Sequence, residues 1–137
     1  SRTTRATGEF SLPADFLAWH PTCHHNADLM ELADRFFSRE GASWNYNLQC
    51  FFVWGHSYEF DRQNNWEVIE NFARRCEGDP DTWYATNIEI CDYVTALRAL
   101  QFSADGTMVR NPSATDVWVR VDGEPARVPA GQTVRFA

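Results

Sequence analysis

Two changes of hydrophobic period along the chain predict an α/β fold, with parallel β/α units followed by an antiparallel β appendage. Up to Leu100, segments with apolar residues at helical spacing alternate with short, largely apolar runs. Beyond it, short alternating segments are punctuated by Asp-Gly and Pro/Gly turns, the pattern of antiparallel hairpins. The order helix, strand, helix, strand, helix implies parallel strands joined by crossovers, with the loops at the strands' carboxyl ends as the natural site.

The first helix is expected over 26–40, with Asn26 as N-cap, apolar residues at 29, 32, 33, 36 and 37, and Gly41 as the stop. Leu48 to Trp54 reads as a strand covered on both faces. Asn64 is expected to open a second helix, with Glu67 three residues on. Trp66, Ile69, Phe72, Ala73 and Cys76 form its buried stripe, and Gly78 ends it. "WYAT" (83–86) reads as a short strand running into Thr86-x-x-Glu89, a capping box for a third helix with the stripe Ile90, Tyr93, Val94, Leu97 and Leu100. This gives a β/α part over 1–100 and a small β part over 101–137. So few β/α units close no barrel and leave long unpaired sheet edges, so a partner segment is expected.

The 137 residues carry 44% hydrophobic and 15% aromatic side chains, enough for a packed core and inconsistent with disorder. Twelve basic against nineteen acidic residues give a net charge of −7, which excludes the basic field of a nucleic-acid groove. No apolar run approaches the roughly 18–20 residues of a membrane span. The chain begins at Ser1 rather than Met, as expected of a processed or truncated product. Cysteines 23, 50, 76 and 91 form no Cys-x-x-Cys pair, and Cys50, Cys76 and Cys91 sit in apolar segments, so buried free thiols are expected.

The chemically loaded stretches are "LPADFLAWHPTCHH" and "FFVWGHSYEFD". In the second, an apolar strand ends in Gly55 and His56, and a histidine at a strand's carboxyl end is a candidate proton donor. In the first, Asp15 and Trp19 stand four apart behind Pro13; the plain reading is a capping aspartate and a core tryptophan. His20-x-x-x-His24 has metal-ligand spacing for a helix, but Pro21 and Thr22 favour a loop.

Together these residues resemble the carboxyl-terminal half of a polysaccharide deacetylase domain of the NodB homology superfamily. Asp15-Phe-Leu-Ala-Trp19 matches that family's Asp-x-x-x-Trp motif. "VWGH" (53–56) matches its strand ending in Leu-x-Leu-His, with Gly55 in place of an apolar residue, and Arg2 loosely matches its Arg-bearing segment. The resemblance implies a partial (β/α) barrel and a hydrolase that removes N- or O-acetyl groups from carbohydrate with a bound divalent metal, zinc for preference. It implies His56 as general acid, Asp15 holding it charged, Arg2 orienting the base and Trp19 walling the acetyl pocket. His24, His25, Tyr58 and Glu59 become rim contacts to sugar.

The departure is as informative as the match. The family's base and metal ligands come from an Asp-Asp pair and a His-x-x-x-His that precede the Asp-x-x-x-Trp motif. Here the Asp-Gly pairs, Asp105-Gly106 and Asp122-Gly123, lie in the hairpin tail, and His20-x-x-x-His24 follows Asp15-x-x-x-Trp19. The resemblance therefore assigns no metal ligand to this chain. Base and ligands are expected from an amino-terminal half supplied by a longer precursor, a separate chain or a swapped copy. Two alternatives remain from other classes: a non-catalytic carbohydrate-binding or interaction module, and a metalloprotein using His20, His24 and His25.

Overall fold

The computed structural model describes residues 1–38 and 48–136, which form two compact units, Ser1–Thr82 and Trp83–Ala137. In the first unit, β1 (Cys23–His24) and β2 (Val53–Trp54) pair in parallel, Cys23 opposite Val53 and His24 opposite Trp54. Helix α1 (Leu29–Ser38) lies between them in the chain, making a strand–helix–strand crossover whose first strand the sequence did not announce; the crossover expected between 48–54 and 83–86 is not formed. The amino-terminal segment runs alongside: Arg2 bridges Trp19 in parallel, and Thr7 and Gly8 donate backbone N–H bonds to Pro21 and Thr22.

The paired strands are shorter than the apolar run Leu48 to Trp54 suggests. Pro21 has no N–H to offer the ladder, and the Thr22 hydroxyl takes its place, accepting from Phe52 N at 3.1 Å and donating to Cys50 O. The run is also half-buried rather than covered on both faces, and Leu48 is 49% exposed. Phe51 meets Phe10, Phe36 and, from α3 (Glu67–Cys76), Phe72, all at ring-centroid distances of 5.3–5.5 Å. This ring cluster and the Arg75–Asp34 ion pair at 2.9 Å hold α1 and α3 together.

Helix boundaries differ from expectation for local reasons. Asp28 rather than Asn26 caps α1, its carboxylate accepting from Glu31 N at 3.0 Å. The predicted end of that helix, 39–41, lies outside the described residues. A helix that the sequence did not announce, α2 (Ser57–Gln63), follows β2 directly with His56 in the N-cap position. Asn64 closes α2 instead of opening α3: its φ of 49° is left-handed, a conformation asparagine tolerates better than most residues. Gly78, at φ 81°, follows α3 as anticipated.

In the second unit, residues 83–86 form no strand. Aromatic residues favour strands only where a neighbour offers a ladder, and here Trp83 and Tyr84 are 57% and 56% exposed. The capping box is present in both halves: Thr86 Oγ1 accepts from Glu89 N, and the Glu89 carboxylate accepts from Thr86 N at 2.7 Å. It starts α4 (Asn87–Arg98), which buries Val94 and Ala96.

Then come β3 (Gln101–Phe102), β4 (Met108–Arg110), β5 (Val117–Val121), β6 (Glu124–Val128) and β7 (Thr133–Arg135). They form an antiparallel sheet β3-β4-β7 and the hairpin β5-β6, as the Asp-Gly punctuation predicts. The hairpin turns on Asp122 and Gly123, both at positive φ as a two-residue reverse turn of this hand requires. The composition change near residue 101 thus falls inside the second unit, after α4. The Tyr93 hydroxyl ties α4 to β5 by accepting from Trp118 N.

No closed barrel is formed among the described residues, and no helix among them is long and apolar enough to cross a membrane.

Candidate metal and proton-transfer site

Parallel pairing of β1 and β2 brings their carboxyl ends together, and every imidazole of interest except His20 is delivered there. His24 ends β1, and His25 follows it, held by a backbone bond from its N to Trp54 O at 2.9 Å. His56 lies two residues beyond β2, and the first turn of α2 returns Glu59 over the strand ends. The result is a convergence on one atom. Glu59 Oε2 lies 3.3 Å from His24 Nε2, 3.3 Å from His25 Nε2 and 3.7 Å from His56 Nδ1.

His25 is the buried member, 3% exposed, while His24 and Glu59 are about a quarter exposed and His56 opens to solvent. Neither ring nitrogen of His25, nor Glu59 Oε2, has a hydrogen bond; the contacts are at ion-pair distance without hydrogen-bond geometry. Burial, the neighbouring His24 and the more distant His56 together lower the His25 pKa against the opposing pull of Glu59. His25 is therefore a neutral imidazole near pH 7.

Flat rings build the walls. His25 stacks between His24 and Phe60, with centroids 4.2 Å away on each side. Trp54 presents its face to the Arg2 guanidinium at 4.3 Å, and its ring meets His24 at 4.6 Å and His56 at 5.8 Å. Tyr58, half exposed, stacks on His56 at 5.2 Å with 28° between the planes. Gly55 is the tight point: a Cβ there would sit 1.7 Å from His25 Nδ1. Its φ is not positive, so only the room it leaves for the His25 ring demands glycine. The glycine that departs from the family's strand motif is what lets this histidine in.

No family model, curated protein or solved structure matches the chain.

Of the residues singled out in the sequence, the fold gathers His56, His24, His25, Tyr58, Glu59 and, through Trp54, Arg2. Asp15 does other work: its carboxylate caps the 3-10 turn Phe16–Ala18, accepting from Leu17 N at 2.8 Å. Trp19 is 5% exposed and packs on Phe16 and Phe52. This is the plain reading of the pair, a cap and a core ring, and the carboxylate placed beside His56 is Glu59. His20 is committed elsewhere, with Nδ1 2.6 Å from the Thr3 hydroxyl. His20 and His24 are not on a helix, so the four-residue spacing does not put them on one face, and the donors that gather with His24 are His25 and Glu59. Gly55, Trp54 and Phe60 were not anticipated; the one sequence signal was a glycine between an apolar run and a histidine.

None of the four thiols is in a disulfide among the described residues, as expected, but Cys50, Cys76 and Cys91, expected to be buried, are half-buried, and Cys23 is the buried one. Burial raises both Cys23 and Cys50 to about 11. At pH 8 roughly one in a thousand of either is thiolate, the reactive form. Iodoacetamide at pH 8 is accordingly expected to leave both unmodified in the folded chain and to alkylate them in denaturant, as peptide mass spectrometry would read. Rapid labelling of Cys23 in the folded chain would contradict its burial.

Proposed function

We propose that this chain carries the proton-donating side of a metal-dependent carbohydrate deacetylase, with His56 as general acid. One observation supports it above others: His56 stands at the solvent-open lip of a parallel strand pair, with a carboxylate at one ring nitrogen and the half-exposed Tyr58 stacked beside it. Glu59 Oε2 lies 3.7 Å from Nδ1, so in this reading the other ring nitrogen, Nε2, is the one that serves the substrate. Tyr58 holds the ring plane by stacking, with the Arg62 guanidinium 4.9 Å from its own ring, and its half-exposed side chain borders the opening where a sugar would enter. In this reading His56 protonates the departing amine or alcohol as the tetrahedral intermediate collapses, and Glu59 takes the supporting role that the family pattern gives to Asp15.

Arg2, fixed over Trp54, keeps a permanent positive charge near the cleft. The metal of the deacetylase family polarises the acetyl carbonyl when bound. Its ligand motifs are absent from these residues, and His20, the nearest mimic, is bonded to Thr3. The base and that metal therefore belong to the amino-terminal half, and no step assigned to this chain runs through them.

The test is acetate release from acetylated chito-oligosaccharide and acetylated xylan by the domain completed with its amino-terminal half. His56→Gln is expected to lower kcat by about 100-fold with KM little changed. The chain by itself is expected to release none. Unchanged kcat in His56→Gln, or turnover by the isolated chain, would overturn the reading. Sugar binding without turnover by the completed domain would favour a carbohydrate-binding module instead.

A further inference from the structure

We propose that His24, His25 and Glu59 form a binding site for one divalent transition-metal ion of the zinc class, separate from the metal that the deacetylase resemblance implies. Their donor atoms lie within 4.8 Å of one another, and Glu59 Oε2 is 3.3 Å from each of two imidazole nitrogens. Ligands about 2.0–2.1 Å from a tetrahedral ion stand about 3.3 Å apart, so two edges of such a polyhedron are already set.

A second observation points the same way. His25 is almost wholly buried, both of its ring nitrogens lack a hydrogen bond, and so does the Glu59 oxygen it faces. Buried polar atoms are nearly always paired, and an ion at this point would satisfy the carboxylate oxygen and the His25 Nε2 together. The seat is specific, because Gly55 clears the space that the ring occupies.

The donor set selects the ion. Two imidazoles and one carboxylate suit zinc, cobalt or ferrous iron and are poor ligands for magnesium or calcium. Three protein ligands leave a fourth position, and the solvent-open side is bordered by His56, 3.7 Å from the shared oxygen. Ligation through His24 Nε2 has a cost, because His24 Nδ1 now accepts from Asn26 N at 3.2 Å and would have to carry the proton instead. That bond is exposed, so water replaces it.

The test uses the untagged chain, stripped with chelator and titrated separately with zinc chloride and cobalt chloride. One zinc per chain at micromolar affinity or tighter is expected, with the intense visible absorption of a tetrahedral cobalt site. Glu59→Gln and His24→Ala should each weaken zinc by about 100-fold, since each removes one of three protein ligands. His20→Ala should leave the affinity unchanged. His24 is partly exposed, so its alanine variant serves if Glu59→Gln does not fold. Absence of stoichiometric zinc, or unchanged affinity in both ligand variants, would overturn the proposal and leave a proton-sharing His–Glu cluster. None of these readouts requires acetate release, so the site and the deacetylase reading fail separately.

Discussion

Replacing Gly55 by alanine is expected to destabilise the Ser1–Thr82 unit by about 3 kcal/mol and to displace the His25 ring. The cause is a single contact. The new methyl would lie 1.7 Å from Nδ1, 2.6 Å from Cε1 and 2.8 Å from Cγ of His25, separations that no shift of a few tenths of an ångström relieves. The ring cannot rotate away cheaply, since it is held between His24 and Phe60 and its backbone is bonded to Trp54. Either the ring leaves its seat, uncovering Phe60, or the strand end carrying His56 moves. Both routes dismantle the convergence on Glu59, so zinc affinity should fall with stability.

A double-mutant cycle separates this clash from any general loss of strand order. Removing the ring removes the obstacle, so Gly55→Ala in a His25→Ala background should cost much less than in the parent, a coupling of about 2 kcal/mol. Urea denaturation of the four proteins measures it. A Gly55→Ala chain as stable as the parent, or additive effects of the two substitutions, would show that His25 does not sit against Gly55.

The contrast between what periodicity revealed and what it hid is physical. Helices α1, α3 and α4 each present an apolar stripe or a capping box, and the hairpins carry Asp-Gly turns; these are local signals, written within a few residues. Helix α2 buries only Phe60 and has seven residues, too few to display a stripe. The strand-like composition of 83–86 failed for the opposite reason, because a strand exists only where a second strand accepts it.

The candidate site followed the same division. His56 at a strand end is legible in the sequence, and His24, His25, Tyr58 and Glu59 enter only as rim contacts to sugar. Their convergence on one oxygen depends on pairing residue 24 with residue 54, a contact across thirty positions that no spacing rule encodes. Asp15 bears out the plain reading of its spacing from Trp19, a cap and a core ring, since its carboxylate accepts from Leu17 N two residues on; the role beside a histidine came only from the family resemblance.

The second unit has its own critical polar residue, and Asn111→Ala is expected to lower stability by about 3 kcal/mol. Asn111 is fully buried where the chain leaves β4, and its amide uses its whole hydrogen-bonding capacity. Its nitrogen donates to Thr115 O at 2.8 Å and Val128 O at 3.0 Å, and its oxygen accepts from Ser113 N and the Ser113 hydroxyl at 3.0 and 2.7 Å. One side chain thereby fastens the 111–115 loop to the end of β6. Alanine removes the Asn111 partner from the buried Val128 carbonyl and the half-buried Ser113 N–H, and a buried group left unsatisfied costs about 1–3 kcal/mol.

Asn111→Asp discriminates hydrogen bonding from packing. It preserves shape and the contacts with Ser113 but turns a charged acceptor toward two carbonyls, so at pH 7 it should be worse than alanine despite filling the space. Acidification should narrow that gap, because a protonated carboxyl can donate to one of the two carbonyls while alanine gains nothing. Urea midpoints of the three proteins at pH 7 and pH 5 decide the matter. Asparagine above alanine above aspartate at pH 7, with aspartate recovering toward or past alanine at pH 5, is the order that a saturated amide requires. Equal midpoints for alanine and aspartate at both values would mean that volume alone, and not the four hydrogen bonds, holds the loop to the sheet.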